Sequence, residues 1–443
     1  MNILYLHTHD SGRYIQPYGY QIPMPNLMNL AQGGTLFRHA YCTAPICSPS
    51  RAGLLTGTSP HSCGMLGLAH RGFQLNDYGK HLVQYLNNNG YETVLSGIQH
   101  VAPDSDMIGY KRILDDQNYH MRNMGKSTTF NSREFDISHA HEVAEYLKKK
   151  RDKPFFLSFG MFNTHRIFPK KNEDINANYV IPPFFNYDVK KTREDIAGYI
   201  MSAKVVDECI GIVLNALNKS GIGEDTLVIF TTDHGIPYPN AKCHLYDTGI
   251  GVSLIIKYPG NKRKGKALDS LISHIDIFPT ICDLLGFEKP DWLEGKSLIP
   301  ILQGTKEEVN DDIFSEVTFH SAYEPMRCVR TKRYKLIRFF DYHNQFVPAN
   351  WDTSLSKDFL LENGYLDNIR EREMLFDLYL DPVERMNIVN DPRYKKIYKE
   401  ISKCLENWMK CTDDPLLKGK VEKPEGAIVN KLSCLSGNED NFE

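Results

Sequence analysis

The chain has 443 residues, of which 41% are hydrophobic and 24% are charged, so it is long enough for a large core and about two domains. Its 52 basic and 55 acidic residues leave a formal net charge of −3, which excludes a general electrostatic attraction to nucleic acid or to an anionic membrane. No apolar run reaches the ~18 residues of a membrane span, so we expect neither nucleic acid nor a membrane among the partners.

The first residues and the cysteines bear on the cellular compartment. Met1 is followed directly by the strand-like sequence NILYL, without the regions of a secretory signal. We therefore expect a cytoplasmic protein if the chain is complete, and a periplasmic or secreted protein if a leader has been trimmed. The ten cysteines include no Cys-x-x-Cys pair, so they indicate neither a zinc module nor a clear disulfide framework.

The first predicted strand, residues 2–6, is followed by polar residues that include His9 and Asp10. Open α/β sheets place their sites beyond the carboxyl ends of strands. A carboxylate such as Asp10 is a ligand that hard cations prefer. His9 can bind a metal, form a hydrogen bond or fill space, and the sequence leaves these three roles open.

The segment 42–57, CTAPICSPSRAGLLTG, predicts a short helix with a reactive first turn. Pro49 suits the first turn, and Gly57 can end the helix. Cys47 then lies at the helix N-terminus, which favours negative charge, and the guanidinium of Arg51 can return to the same anion from one turn further on. This pattern indicates a nucleophile beside an anion-binding arginine. The alternative is a buried, inert cysteine before an ordinary helix.

Two further histidines follow predicted strands. The strand at residues 93–96 leads to His100, and the apolar strand at residues 155–162 leads to His165 and Arg166. A histidine at the carboxyl end of a strand is well placed to act as a general acid, which we expect of His165. A purely structural role stays open for His100.

The buried strand predicted at residues 226–232 ends at Asp233 and His234. A carboxylate beside an imidazole is a pattern typical of metal ligands. Lys242 follows shortly downstream. The lysine either faces the same site or lies on the surface.

Strands alternate with helical patterns in the first part of the chain, which predicts an α/β domain with a mostly parallel central sheet flanked by helices. The helical patterns cover residues 26–31, 80–88, 141–149 and 193–217, and a further strand is predicted at residues 252–256.

The composition turns polar around residues 303–311, and we place a domain boundary there, with one domain over residues 1–308 and a smaller α+β subdomain over residues 309–443. We expect the last twenty or so residues to form a loosely held tail. The subdomain is predicted to contain a helix over residues 394–410 and short strands at residues 313–317, 327–330, 334–339 and 375–379.

The segment around Cys47 resembles the signature of the formylglycine-dependent (type I) sulfatases, Cys-x-Pro-Ser-Arg followed by Leu-Thr-Gly. The resemblance implies an alkaline-phosphatase-like fold for the first domain. It also implies that a formylglycine-generating enzyme converts Cys47 to formylglycine, that Ca²⁺ (or Mg²⁺ or Mn²⁺) is bound, and that a sulfated carbohydrate is the substrate. The chain departs from the family at His9, where an aspartate is usual, and at Ile98, where a lysine is usual.

The resemblance also implies roles for the residues singled out above. The expected metal ligands are Asp10, Asp233 and His234, with His9 as a fourth candidate. In the family pattern, the sulfuryl oxygens are bound by Arg51 and Lys242. The leaving group receives its proton from His165, and the release of sulfate depends on His100. The residues expected to contact the sugar are Arg166, Glu316 and Arg327.

Several stretches, among them CGMLGL at residues 63–68 and GIPYP at residues 235–239, resemble the heparan N-sulfatase (sulfamidase) branch in particular. This branch implies cleavage of N-sulfoglucosamine from glycosaminoglycans. The alternatives are an O-sulfatase, acting on 6-O-sulfated N-acetylglucosamine or an aryl sulfate, and a phosphonate monoester or phosphodiester hydrolase on the same scaffold. A sulfoglycan-binding protein that is never matured is the non-enzymatic alternative. The oligomeric state stays open, a homodimer included.

Overall fold

The chain folds around a large, mostly parallel β-sheet. The computed structural model describes residues 1–114, 130–169 and 175–443. Within these residues the strands of the sheet are β1 (Asn2–Thr8), β2 (Thr35–Tyr41), β3 (Glu92–Gly97), β4 (Arg112–Ile113), β5 (Phe155–Gly160), β6 (Thr226–Thr232), β7 (Gly251–Val252), β8 (Leu254–Lys257) and β9 (Lys266–Ser273).

The strand order is β4-β3-β5-β1-β6-β8-β2-β7, with β9 also paired to β2. The strands β4, β3, β5, β1 and β6 are mutually parallel. The short strands β7 and β8 run antiparallel to their neighbours. The predicted α/β class and mostly parallel sheet are confirmed.

Helices cover both faces of this sheet, because alternate residues of each strand point to opposite sides. Ile3 and Tyr5 of β1 pack with the helices of one face, and Leu4 and Leu6 pack with those of the other. None of the helices in the described ranges is long and apolar enough to cross a membrane. The helices are α1 (Pro25–Gly33), α2 (Cys47–Thr56), α3 (Pro60–Cys63), α4 (Leu82–Asn88), α5 (Ser132–Leu147), α6 (Lys190–Lys219), α7 (Asp247–Ile250), α8 (Ile277–Leu285), α9 (Ile299–Leu302), α10 (Leu355–Glu362) and α11 (Lys395–Cys411).

The parallel register brings the carboxyl ends of the central strands to one edge of the sheet. Thr8 of β1 lies opposite Thr232 of β6, and Gly97 of β3 lies opposite Gly160 of β5. The polar residues that follow these four strands therefore meet above the same edge, where ligands bind in open α/β sheets.

A second, antiparallel sheet follows, with the order β10-β11-β12-β13. Its strands are β10 (Asp312–Phe319), β11 (Tyr323–Thr331), β12 (Tyr334–Phe339) and β13 (Glu373–Asp377), and α11 packs against β11 and β12. Strand β10 also contacts the segment that connects β2 to Cys47, because Ser315 Oγ donates to Cys42 O at 2.6 Å. The predicted boundary after residue 308 lies just before β10, and the division into domains 1–308 and 309–443 stays a prediction.

The last residues are held in place, so the expectation of a loosely held tail is wrong. Asn430 is fully buried, and its backbone N–H donates to Ser321 O at 2.7 Å. Lys431 N donates to Asn441 O at 3.0 Å, and the side chain of Cys434 is buried. These contacts join residues far apart in the chain, which local composition does not reveal.

Candidate active site

Cys47 is the first residue of α2, as the sequence predicts, and Gly57 ends this helix in the left-handed conformation with φ 71°. The Cys47 side chain is 1% exposed, and its Sγ lies 3.3 Å from His234 Nε2 and 3.9 Å from Asp10 Oδ1. Burial raises the pKa of the Cys47 thiol well above its usual value, and Lys242 offsets this only in part. The helix N-terminus therefore does not make the thiol itself a ready nucleophile.

Two carboxylates lie below Cys47, at the ends of β1 and β6. The backbone N–H of Asp10 donates to Asp233 Oδ1 at 2.8 Å, which fixes one carboxylate against the loop that carries the other. Burial alone would raise the pKa of Asp233, but His234 and Arg51 hold it well below its usual value. Asp233 therefore stays ionised.

His9 and His234 complete a cluster of metal-ligating groups around these carboxylates. Ligand atoms of His9, Asp10, Cys47 and Asp233 all lie within 4.8 Å of one another. Among the described residues neither ring nitrogen of His9 has a hydrogen-bond partner, although Nδ1 lies 3.2 Å from Asp233 Oδ2. Burial and the nearby Arg51 lower the pKa of His9 to about 3, so the imidazole is neutral.

This donor set fits a divalent cation. His9 Nε2 is buried and has no partner among the described residues, and a metal ion bound to it would satisfy this nitrogen. His234 Nδ1 lies 2.9 Å from Gly235 O, which leaves Nε2 directed at Cys47 and, at 3.1 Å, at Asp10 Oδ1. Hydrogen bonds of this kind orient histidine ligands in metal sites.

Arg51 is fixed behind Cys47, as expected for an arginine one turn along the helix. Its Nη2 donates to Asp233 Oδ2 at 3.0 Å and to Thr8 O at 3.0 Å, and its Nη1 lies 2.5 Å from His7 Nδ1. Burial and Arg51 itself lower the pKa of His7 well below its usual value, so His7 is a neutral acceptor. Sequence analysis missed this orienting role, because it depends on contact with Arg51, which lies far away in the chain.

Lys242 is buried beside Cys47 and is not a surface lysine. Its Nζ donates to Asp10 Oδ2 at 3.0 Å and to Asp352 Oδ2 at 2.9 Å. Burial lowers the pKa of Lys242, but the two carboxylates outweigh burial and raise it well above its usual value. Lys242 in turn keeps the pKa of Asp352 low against the effect of burial. Asp352 lies in no recognisable motif, and sequence analysis missed it.

A cleft of about 530 Å³ opens above this cluster, a size that suits a small-molecule ligand. Cys47 and Lys242 are part of its lining, and Asp10, Asp233 and His234 are buried beneath them. The other predicted site residues in the lining are His100, His165 and Arg166. The structure thus brings together the residues that the sequence assigned to the nucleophile, the metal and the proton transfers.

His100 and His165 both line the cleft, and both rings lie near His9. The ring of His9 lies 5.7 Å from that of His100 and 5.3 Å from that of His165, measured between centroids. His100 Nε2 lies 3.0 Å from His70 Nδ1, while His100 Nδ1 is buried without a hydrogen-bond partner in the described part of the chain. Burial and His70 lower the pKa of His100 well below its usual value, which leaves the imidazole neutral.

Arg166 is anchored by a bidentate ion pair with Asp195, with distances of 2.6 Å and 3.0 Å. Its Nε donates to Pro237 O at 3.0 Å, and its guanidinium lies 4.6 Å from the ring centroids of Phe168 and Tyr238. An arginine has five N–H donors, so this fixed guanidinium can still contact a ligand in the cleft.

Glu316 and Arg327, which the resemblance assigned to the sugar, lie outside the cleft lining. They are 1% and 0% exposed. Arg327 Nε donates to Asp414 Oδ2 at 2.6 Å, and Glu316 forms a short ion pair with His61 Nδ1. We therefore correct their role: these buried charges are paired with other protein groups, and they hold β10 to α3 and β11 to the C-terminal region.

Comparison with known families identifies the chain. The sulfatase family model matches residues 2–287, which span β1 to α8 and contain every predicted ligand and proton-transfer residue. The chain belongs to the sulfatase family. A second model, the C-terminal region of N-sulphoglucosamine sulphohydrolase, matches residues 238–353.

Individual sulfatases resemble this chain over almost its whole length. It is 28% identical to human N-sulphoglucosamine sulphohydrolase, over 98% of this chain and 93% of the human enzyme. It is also 28% identical to an ulvan-active sulfatase of Formosa agariphila, over 96% of this chain and 82% of that protein. The likeness to the sulfamidase branch is confirmed at this level.

Solved structures share the fold. A 2-O GAG sulfatase superposes with a TM-score of 0.73 at 22% identity, covering 100% of this chain and 98% of the other. The phosphonate monoester hydrolase of Agrobacterium radiobacter superposes with a TM-score of 0.72 at 20% identity, covering 97% and 99%. At these identities the likeness establishes the sulfatase fold and leaves the substrate to the site itself.

Proposed function

We propose that this sulfatase hydrolyses a sulfate ester or a sulfamate on a sugar, with formylglycine made from Cys47 as the nucleophile and a divalent cation as cofactor. The observation that carries the proposal is the position of Cys47, which lines the cleft while its Sγ faces His234 Nε2 at 3.3 Å. Because the pKa of the thiol is raised, the free cysteine would be a weak nucleophile here, which supports a modified side chain as the nucleophile.

A formylglycine-generating enzyme is therefore a proposed partner. The hydrated aldehyde would supply an oxygen nucleophile for attack on sulfur. Arg51 Nε has no hydrogen-bond partner among the described residues, and Lys242 is part of the cleft lining. Both side chains are proposed to place positive charge on the sulfuryl oxygens, where negative charge grows during the reaction.

Two histidines are proposed to move protons. His165 lines the cleft and gives a proton to the leaving amine nitrogen or alcohol oxygen, since neither leaves well as an anion. His100 takes up the proton whose loss allows sulfate to be released. Its unpaired Nδ1 supports this role, and His70 on its other nitrogen can fix the tautomer.

The proposed cation ligands are Asp10, Asp233, His234 and His9. A cation bound there would stabilise negative charge on the nucleophile and on the sulfate group. The two carboxylates suit Ca²⁺, our first candidate, or Mg²⁺, and the imidazoles also suit Mn²⁺. Metal analysis of the purified protein, followed by chelation and reconstitution with each ion, tests this assignment.

The substrate proposal draws on the relatives. The human relative is named for N-sulphoglucosamine, and we propose N-sulfoglucosamine at the end of a glycosaminoglycan fragment as the first candidate. The same cleft chemistry can serve O-sulfates, since the sulfuryl group and the nucleophile are unchanged. A phosphodiesterase is the second candidate, favoured by the fold shared with a phosphonate monoester hydrolase.

Release of sulfate from a small panel tests the proposal. The panel contains N-sulfoglucosamine, 6-O-sulfated N-acetylglucosamine, an aryl sulfate and an aryl phosphodiester, each with the wild type and with Cys47→Ala. We expect sulfate release from at least one sugar, and none with Cys47→Ala. Turnover of the phosphodiester alone would favour the second candidate. Sulfate release by Cys47→Ala at the wild-type rate would contradict the formylglycine mechanism.

A further inference from the structure

The cleft lining contains a histidine, His320, to which the proposed mechanism gives no role. This residue directly follows strand β10 and lines the cleft together with Lys242 and Asp352. Because Glu316 and Arg327 lie outside the cleft, other residues must contact the sugar that carries the sulfate group. His320 is a candidate for such a contact.

Hydrogen bonds from two distant segments hold the turn that carries His320. Asn350 Oδ1 accepts from Ser321 N at 3.1 Å and from Ala322 N at 2.8 Å. Ser321 O accepts from Asn430 N at 2.7 Å. Asn350 and Asn430 are both fully buried. A side chain on such a fixed turn is ordered before a ligand binds, which lowers the entropic cost of binding.

One ring nitrogen of His320 is available to a ligand. Nδ1 lies 3.4 Å from Ser321 Oγ. Nε2 has no hydrogen-bond partner among the described residues, and it is not sealed from solvent in the way that His100 Nδ1 is. Since His320 is 7% exposed and lines the cleft, a ligand bound there can reach Nε2.

The imidazole of His320 is uncharged. Burial and the nearby Lys242 lower the pKa of His320 well below its usual value. A neutral imidazole donates a hydrogen bond at one nitrogen and accepts one at the other. A hydroxyl group can do both, so it matches Nε2 in either tautomer.

His320 lies beside the proposed site of the sulfuryl oxygens. Asn350, which binds the turn of His320, is two residues before Asp352, and Asp352 Oδ2 lies 2.9 Å from Lys242 Nζ. Lys242 and Asp352 are also the two charged groups with the largest effect on the pKa of His320. A sugar whose sulfate group binds at Lys242 therefore brings its neighbouring hydroxyl groups towards His320.

We infer that His320 binds a hydroxyl group of the sugar next to the sulfate, and that it thereby favours sugar substrates over sulfated ligands without hydroxyl groups. This inference rests on the proposed function and deepens it. It assigns to His320 the kind of contact that the sequence had assigned to Glu316 and Arg327.

The test measures the Kd values of two probes, N-sulfoglucosamine and the sulfamate ion, with metal-loaded protein that carries Cys47→Ala. Both probes present the same sulfuryl group, but only the first has hydroxyl groups. His320→Ala and His320→Phe both remove the ring nitrogens, and the second keeps the volume of the ring in case the first does not fold. His320→Gln places an amide near the position of Nε2. The matched control is His141→Ala, because His141 is an exposed residue of α5 outside the cleft lining.

We expect His320→Ala and His320→Phe to raise the Kd of N-sulfoglucosamine by about three- to tenfold, as for the loss of one hydrogen bond, and to leave that of sulfamate unchanged. His320→Gln should restore most of the affinity for the sugar, and His141→Ala should change neither Kd. If the nitrogen-free variants changed both Kd values by the same factor, or changed neither, the inference would be overturned.

Turnover by the unmodified chain separates this inference from the proposed function. If wild type released no sulfate from N-sulfoglucosamine, the proposed substrate would be wrong, while a selective rise of its Kd in His320→Ala would still support the contact. If wild type is active, the same substitution should raise KM for this sugar by a similar factor with little change in kcat, because the hydrogen bond is present before and during the reaction. An unchanged KM for the sugar would overturn the inference.

Discussion

Replacement of Asp352 by asparagine tests the role of Lys242, because Asp352 is the one of its two carboxylate partners that is not a proposed metal ligand. Asp352 Oδ2 lies 2.9 Å from Lys242 Nζ, and the side chain of Asp352 is 18% exposed. The substitution keeps the shape of the side chain and removes its charge. We expect Lys242 to lose one of the two carboxylates that fix its position in the cleft, with Asp10 as the remaining partner.

The magnitude follows from the type of contact. A hydrogen bond to a charged group contributes about 1.5–3 kcal/mol, and partial exposure at Asp352 favours the lower end. Since about 1.4 kcal/mol corresponds to a factor of ten, we expect kcat/KM to fall about tenfold. Lys242 opposes the effect of burial and lowers the pKa of Asp352, so the wild-type carboxylate is ionised. The ratio of kcat/KM between wild type and Asp352→Asn should therefore be constant from about pH 5 to 8.

The assay measures kcat/KM for sulfate release across that pH range, with thermal unfolding to verify the fold. Asp358→Asn is the matched control, because Asp358 is an exposed residue at the start of α10 and undergoes the same chemical change. If Asp352→Asn retained activity within about twofold of Asp358→Asn, the proposed role of the Lys242–Asp352 pair would be refuted.

Four further substitutions give distinct expected results. His165→Ala should slow hydrolysis of a sugar substrate by about 10²–10⁴-fold and that of a nitrophenyl sulfate much less, because nitrophenolate leaves without a proton. His100→Ala should slow hydrolysis of both substrates alike. The reverse pattern would exchange the roles of the two histidines. Asp233→Asn should lose bound metal and activity together, since an amide is a poorer ligand, and metal analysis would contradict this by showing a full complement of the ion. Arg327→Met should lower the free energy of unfolding by about 3–5 kcal/mol, because it leaves Asp414 buried without its arginine partner. The same variant should leave KM for the sugar unchanged. A raised KM in a stable protein would mean that Arg327 contacts the sugar after all.

The sequence was sufficient to predict the sheet because its central strands are apolar runs that end in polar residues. Strand β6 was predicted with its observed bounds, Thr226–Thr232, because its apolar centre is flanked by β-branched threonines and the whole strand is buried. Helix α5 begins nine residues earlier than predicted, at Ser132 instead of residue 141. Its first turns bury Asp136, whose carboxylate accepts hydrogen bonds from the backbone of Phe162 and Asn163, and a buried charge of this kind hides the apolar face of a helix.

The site residues were predictable where they directly follow a strand or belong to the signature. Asp10, His100, His165 and Asp233 follow four neighbouring strands, so the parallel sheet alone brings them together. Asp352 and the C-terminal residues 436–440 reach the cleft through packing against residues far away in the chain. No local pattern marks such residues, and only the folded structure reveals them.

The most direct test of the central claim is the mass of the peptide that contains Cys47, measured alongside activity in protein produced with and without a formylglycine-generating enzyme. We expect a peptide about 18 Da lighter than the cysteine form in the active protein, with sulfate release in proportion to the converted fraction. Full activity in protein whose Cys47 is entirely unmodified would contradict the account.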